Sequence, residues 1–296
     1  MSMTGTVLLT GSLDHTGRWL AVHLAERGWD VTCVGLSRTE WNLEGYRNLS
    51  FRSADLTEQV EASEVVSTEN PDAVVHWTAR PSPERHAGMR VFENNVISVY
   101  NVLTAAGRAG ARVAWASSES AFGFPLAGEP SLPEYLPLDE EHPLRPEDPY
   151  GTSKVVGEEI GAMVARRHGV PVASIRASWI QFPGEYDCLD ARNDLATGAG
   201  NFWSYVDIRD VATATEDAIT ADFRGHQPFL ISAEDNYLDR PIEDVLSEFF
   251  GEVPGSCQIT GSDSALSTEK ARSMLGWKPV YSWRDSEDED VSIFAR

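Results

Sequence analysis

The chain reads as an α/β protein: a Rossmann-type, doubly wound parallel sheet with a small C-terminal substrate-binding portion. Three observations predict this. Short apolar strands alternate with amphipathic helices through the first half. A turn carrying Gly11 and Gly17 joins the first strand to the first helix. Hydroxyl residues, Ser117, Ser118 and Ser120, follow the fifth strand, at the end where a parallel sheet presents its ligands. Such alternation needs crossover connections, hence parallel strands with helices on both faces.

In chain order, residues 6–10 form the first strand, 17–27 a helix, 30–35 the second strand and 51–53 a short third. Residues 73–77 make the fourth strand, 91–109 a long helix and 112–116 the fifth strand. Residues 125–149, rich in Pro, Glu and Asp, predict a surface loop before a helix over 150–168 and a further strand over 172–175. Residues 182–201, crowded with Gly, Asp and Asn, are too broken for a long element and are expected to wrap over a substrate. Residues 1–175 belong mainly to the dinucleotide-binding domain and 176–296 mainly to the smaller portion, with some segments returning to the sheet. The acidic run 285–290 reads as a solvated end without function.

The charge balance removes several partners. With 46 acidic against 24 basic residues, the net charge of −22 opposes nucleic acid and anionic membranes. No apolar run approaches the roughly 18 residues of a membrane span, and the start of the chain lacks the basic flank and apolar stretch of a secretory signal, so a cytoplasmic protein is expected. Lysine occurs only at Lys154, Lys270 and Lys278. That composition is halophilic and predicts greater stability in molar KCl than in dilute buffer. Cys33, Cys188 and Cys257 form no CxxC pair, and the histidines form no HExxH motif, so no metal is expected.

The turn Gly11-Ser12-Leu13-Asp14-His15-Thr16-Gly17 stands where a phosphate is cradled by a helix start, and its candidate contacts are Gly11, Asp14, His15, Thr16 and Gly17. Asp14 occupies the position of a middle glycine; it suits a helix N-cap, but its carboxylate would sit near a pyrophosphate. After the second strand come Ser37 and Arg38, a hydroxyl beside a guanidinium, which suits a phosphate monoester and predicts NADP, with NAD as the alternative.

Tyr150 and Lys154 are four apart, on one face of a helix, with Ser118 upstream at a strand end. With these residues, Asp55-Leu56, Pro71 to His76, Asn95-Val96, Tyr205 to Ala212 and Leu275 to Pro279, nearly the whole chain resembles the extended short-chain dehydrogenase/reductase family, the NAD-dependent epimerase/dehydratase group. The resemblance implies an NAD(P)-dependent enzyme in which Ser118 is the active-site hydroxyl, Tyr150 the acid/base and Lys154 the ligand of the nicotinamide ribose. It also implies cofactor contacts from Asp55, Leu56, Trp77, Thr78, Ala79 and Asn95, and a homodimer. Departures are Asp14, Trp77-Thr78 and Phe122, the last standing where the family commonly has Tyr.

Dehydratases of the family carry an Asp-Glu pair after the hydroxyl, where this chain has Glu119-Ser120. Between Pro183-Gly184 and Tyr205 the segment is short and Arg192 is its single cation, too little charge for a nucleotide diphosphate. The chain therefore resembles compact, haloarchaeal-type sugar dehydrogenases, which oxidise a free aldose at C1 to a lactone. Ser82, Ser118, Glu119, Ser120, Tyr150, Trp179, Arg192, Asn201 and Trp203 are the substrate candidates, with core packing the expected role of the two tryptophans. A nucleotide-sugar epimerase or dehydratase, or a cofactor-binding sensor without turnover, are the alternatives.

Overall fold

The computed structural model describes residues 5–37, 45–80, 86–286 and 289. The strands are β1 (Thr6–Thr10), β2 (Asp30–Gly35), β3 (Leu49–Ser53), β4 (Ala73–His76), β5 (Arg112–Ala116), β6 (Val172–Ala177), β7 (Ile180–Gln181), β8 (Val206–Asp207) and β9 (His226–Ile231). Seven of them form one sheet in the order β3-β2-β1-β4-β5-β6-β9, parallel at every junction. β7 and β8 make a separate parallel pair. The helices are α1 (His15–Glu26), α2 (Gln59–Glu69), α3 (Gly88–Ala109), α4 (Pro149–His168), α5 (Asp187–Ala191), α6 (Leu195–Ala199), α7 (Ile208–Thr220), α8 (Ile242–Phe250), α9 (Glu269–Leu275) and α10 (Trp283–Ser286), with a 3-10 turn over Glu119–Phe122.

Alternate residues of each strand feed two cores. Val7, Leu9 and Val75 meet Leu20 and Leu24 of α1 and Val211 and Ile219 of α7. Leu8, Val74 and Val113 meet Val65 of α2, Val102 and Leu103 of α3 and Val164 of α4. Both faces of the sheet are covered, which is why its strands read as apolar runs. A third core joins Leu136 and Leu138 to Tyr186, Trp203, Tyr205, Tyr237 and Trp283 in the smaller portion. The sheet order reverses between β1 and β4, so the binding crevice opens at their carboxyl ends.

Several elements differ in extent from the reading of the sequence. α1 starts two residues earlier, because the Asp14 carboxylate accepts from the Gly17 N–H at 2.7 Å and caps the helix there. α3 starts at Gly88, and β6 runs on to Ala177. Residues 182–201 hold two one-turn helices, α5 and α6. The acidic tail is not simply a solvated end: α10 contains Asp285, and Glu289 pairs with Arg209 at 2.6 Å. Among the described residues no helix is long and apolar enough to cross a membrane.

Candidate active site

The glycine turn is built for close approach. Gly11 has φ +75°, and a Cβ there would lie 2.7 Å from the Trp77 backbone carbon. A Cβ on Gly17 would meet the Gly11 carbonyl oxygen at 1.9 Å, so α1 can press onto the turn only with glycine there. His15 stacks flat on Phe182, with centroids 3.8 Å apart and planes 7° from parallel, tying the helix start to the segment after β7. These features fit a dinucleotide whose pyrophosphate lies on the helix N-terminus.

Asp14 qualifies that fit. Its side chain is open to solvent yet recessed in protein; loss of hydration pushes its pKa up to about 6, against the pull of the Gly17 N–H and of Arg18. Above that pH its negative charge lies where a diphosphate would bind. Cofactor affinity is therefore expected to rise as pH falls through about 6. Asp14→Asn keeps the cap and removes the charge. It should tighten cofactor about tenfold at neutral pH, since one unit charge a few ångströms away is worth ~1–4 kcal/mol in this range of screening, and it should flatten the pH dependence. Titration of cofactor into both proteins by tryptophan fluorescence checks this.

The other cofactor candidates divide between backbone and side chain. Ser37 follows β2 at the same sheet edge; Arg38, like Ser82 on the substrate side, lies outside the described residues. Asp55 accepts from the Thr57 N–H and hydroxyl at 2.9 and 2.7 Å, shaping the turn after β3. The Leu56 and Trp77 side chains are buried in the two cores, so a cofactor contact from either would have to come from its backbone. Thr78 donates its N–H to Thr10 Oγ1 at 3.4 Å, beside Ala79. Asn95 is corrected. It is buried and fully engaged, accepting from the Arg80 N–H at 2.8 Å and donating to the Arg80 carbonyl and to Ser153 Oγ, both at 3.2 Å. It positions the loop after β4.

Ser118, Tyr150 and Lys154 do converge. Asp148 caps α4, accepting from the Tyr150 and Gly151 N–H groups at 2.8 and 2.9 Å, with Pro149 entering the first turn. Ser118 ends the β5 extension; its Oγ accepts from the Ser120 N–H at 3.1 Å and pairs with the Tyr150 phenol. The Lys154 ammonium lies 5.1 Å from the Tyr150 ring centroid and donates to the Ala116 carbonyl at 2.6 Å. Burial pushes the phenol up to about 12, opposed by Ser118 and aided by Asp148 and Glu119. Burial also pulls Lys154 down to about 7, opposed by Glu158. Glu119 is buried beside this group, and burial drives its carboxyl well above the carboxylate range despite a hydrogen bond from the Trp179 N–H.

The remaining substrate candidates scatter. Ser120 is buried in the 3-10 turn. Trp179 is partly buried, edge-on to Tyr237 at 6.0 Å. Asn201 is buried, donating to the Ser204 carbonyl at 3.0 Å. Trp203 is fully buried, at φ +53°, wedged against Phe249 and Phe250, and is a core residue rather than a substrate contact. The Arg192 guanidinium lies 5.0 Å over the Trp283 ring. The sequence reading missed Asp148, Phe182 and the buried Glu158–Arg176 pair. The signal for Glu158 was its place one turn beyond Lys154.

A family model described as the NAD dependent epimerase/dehydratase family matches residues 7–192. An L-arabinose 1-dehydrogenase (NAD(P)(+)) of Haloferax volcanii is 32% identical over 204 residues, 67% of this chain and 76% of its own. A UDP-glucose 4-epimerase of Lactobacillus helveticus is 23% identical over 313 residues, 93% of this chain and 92% of its own. Among solved structures, a UDP-glucose 4-epimerase of Thermotoga maritima with UDP-glucose superposes with TM-score 0.72 at 20% identity, covering 96% of each chain. The Bordetella bronchiseptica enzyme WbmG with NAD gives 0.70 at 21%, covering 96% of this chain and 92% of its own.

Proposed function

Because the chain belongs to the NAD dependent epimerase/dehydratase family, we propose that it is an NADP-preferring sugar dehydrogenase that oxidises a free aldose at C1 to a lactone. One observation carries the reading: the Tyr150 phenol is paired with Ser118 and overlooked by the Lys154 ammonium at the sheet edge that holds the glycine turn. Gly11, Gly17 and the start of α1 would hold the dinucleotide, and the NADP preference is supported by the Ser37-Arg38 pair in the sequence. Bound there, oxidised nicotinamide supplies the acceptor for the C1 hydride. Tyr150 takes the C1 hydroxyl proton, the lysine charge favours the phenolate, and Ser118 donates to the oxygen that becomes the carbonyl.

The free-sugar assignment is supported by Arg192, the single cation between Pro183 and Tyr205, being committed to Trp283. It is supported too by the Haloferax volcanii relative. The epimerase reading draws on nucleotide-sugar relatives that align over almost the full chain. The test is a screen of free aldoses, uronates and UDP-hexoses with NADP and with NAD, followed by absorbance of the reduced cofactor and by chromatography. Lactone formation from an aldose, with a lower KM for NADP, is expected. Interconversion of a UDP-hexose without net reduction, and inertness to every free sugar, would overturn the proposal.

A further inference from the structure

Glu158 takes no part in the proton transfer just described, yet it touches the elements that carry it. It follows Lys154 by one turn of α4, on the same helix face, and it is buried. Its Oε1 accepts from the Ser117 hydroxyl at 2.7 Å and from Arg176 Nε at 2.8 Å, and its Oε2 from Arg176 Nη2 at 2.7 Å. Lys154 grips the preceding residue, donating to the Ala116 carbonyl at 2.6 Å. The end of β5 is thus clamped from α4 at two successive residues, and Ser118 is the next one. Arg176, from β6, carries the clamp onward: its guanidinium lies 5.0 Å over the Phe122 ring, in the turn that begins just after Ser118.

We propose that Glu158 is a positioning residue that fixes the Ser118-bearing strand end against α4 and supplies the negative charge that keeps Lys154 an ammonium. The inference rests on the reading of Ser118, Tyr150 and Lys154 as the reacting group. Burial opposes the charge on Glu158, but Arg176 and Ser117 outweigh it and hold the carboxyl below its ordinary range. The charged and titratable groups facing it are Lys154 on its own helix, Arg176 on β6, His226 on β9 and Lys270 on α9. Glu140, in the loop before α4, faces the same Arg176 and Lys270. Burial pulls His226 down to about 4, so it is neutral at neutral pH. Lys154 itself titrates near 7, where a nearby charge decides its state.

The scarcity of lysine makes a direct test practical. With only Lys154, Lys270 and Lys278 to label, 13C at the lysine ε-carbon gives three NMR signals, assigned through Lys270→Arg and Lys278→Arg. In Glu158→Gln the Lys154 titration should move down by about one pH unit or more, as expected for loss of an opposite charge at close range. In Glu158→Asp, which withdraws the charge by one methylene but keeps a partner for Arg176, it should move down by about half a unit. This readout needs neither substrate nor cofactor, so it stands if the aldose assignment fails. An unmoved titration in either variant overturns the electrostatic role, and Glu158→Asp decides alone if Glu158→Gln, which strands a buried guanidinium, does not fold. Ser117→Ala tests positioning: kcat should fall about tenfold with cofactor KM and the Lys154 titration unchanged, whereas wild-type kcat would overturn that role.

Discussion

Tyr150→Phe is expected to lower kcat by about 10³, within the 10²–10⁴ range of a positioned proton acceptor, while leaving cofactor affinity within about threefold. The asymmetry follows from the geometry. The phenol pairs with Ser118 at the proposed reacting position, whereas the proposed cradle is Gly11, Gly17 and the start of α1. The loss corresponds to ~4 kcal/mol of barrier. Folding should be unaffected, since the ring stays and Phe leaves no unpaired phenol; an unchanged melting temperature checks this. In the wild-type protein, oxidation should accelerate as pH rises toward the phenol, which burial holds near 12 in the free protein. Deprotonation of Lys154 above about 7 works against that rise. The two groups are coupled, so the resulting bell-shaped profile belongs to the pair, and Tyr150→Phe should abolish it. A variant with wild-type turnover would sink the proton-transfer role. A protein that binds cofactor, shows no turnover on any sugar, and is indifferent to Tyr150→Phe would be a sensor.

The fold was legible wherever burial was two-sided. β1, β2 and β5 could be read to the residue because their apolar runs are enclosed between helices on both faces. Helix starts were read less well. α1 begins at a side-chain cap and α3 at a glycine packed on Pro149, and hydrophobic period sees neither. The same distinction separates the site residues. Ser118, Tyr150 and Lys154 were marked by the family resemblance, and a helix period and a strand end bring them together in the structure. The roles of Trp203 and Arg192 stayed open in the sequence because residues 182–204 have no periodicity to tell inward from outward. There, a fully buried indole and a guanidinium stacked on Trp283 arise from contacts with α8 and α10, far away in sequence. Asn95 and Glu158 are polar residues whose partners come from other elements, so their importance depends on tertiary pairing.

Raising KCl from about 0.01 M to 1 M is expected to raise the melting temperature by more than about 10 °C, and two opposing effects decide the sign. Spreading 22 net charges over a sphere of roughly 25 Å, the size scaling for a compact chain of this length, gives a self-repulsion that drops by on the order of 20 kcal/mol as the Debye length shrinks from about 30 to 3 Å. The expanded chain gains roughly a quarter as much, leaving an upper limit on the order of 10 kcal/mol in favour of folding. Against this, salt weakens ion pairs near the surface such as Arg27–Glu216, Arg52–Glu69, Arg145–Glu134, Arg272–Glu234 and Arg284–Asp235. Each exposed pair is worth about 0–1 kcal/mol, so their combined loss is a few kcal/mol at most. The buried Glu158–Arg176 pair is shielded from the salt and does not enter the sum. Repulsion wins. The measurement is thermal unfolding across a KCl series, with an equimolar uncharged osmolyte to separate screening from exclusion at the protein surface. Replacing an exposed mid-helix acid on α2 such as Glu64 with Gln should raise stability in dilute buffer and do little in molar salt. A melting temperature that is flat or falling across the series would mean that the acidic surface is not under net repulsion.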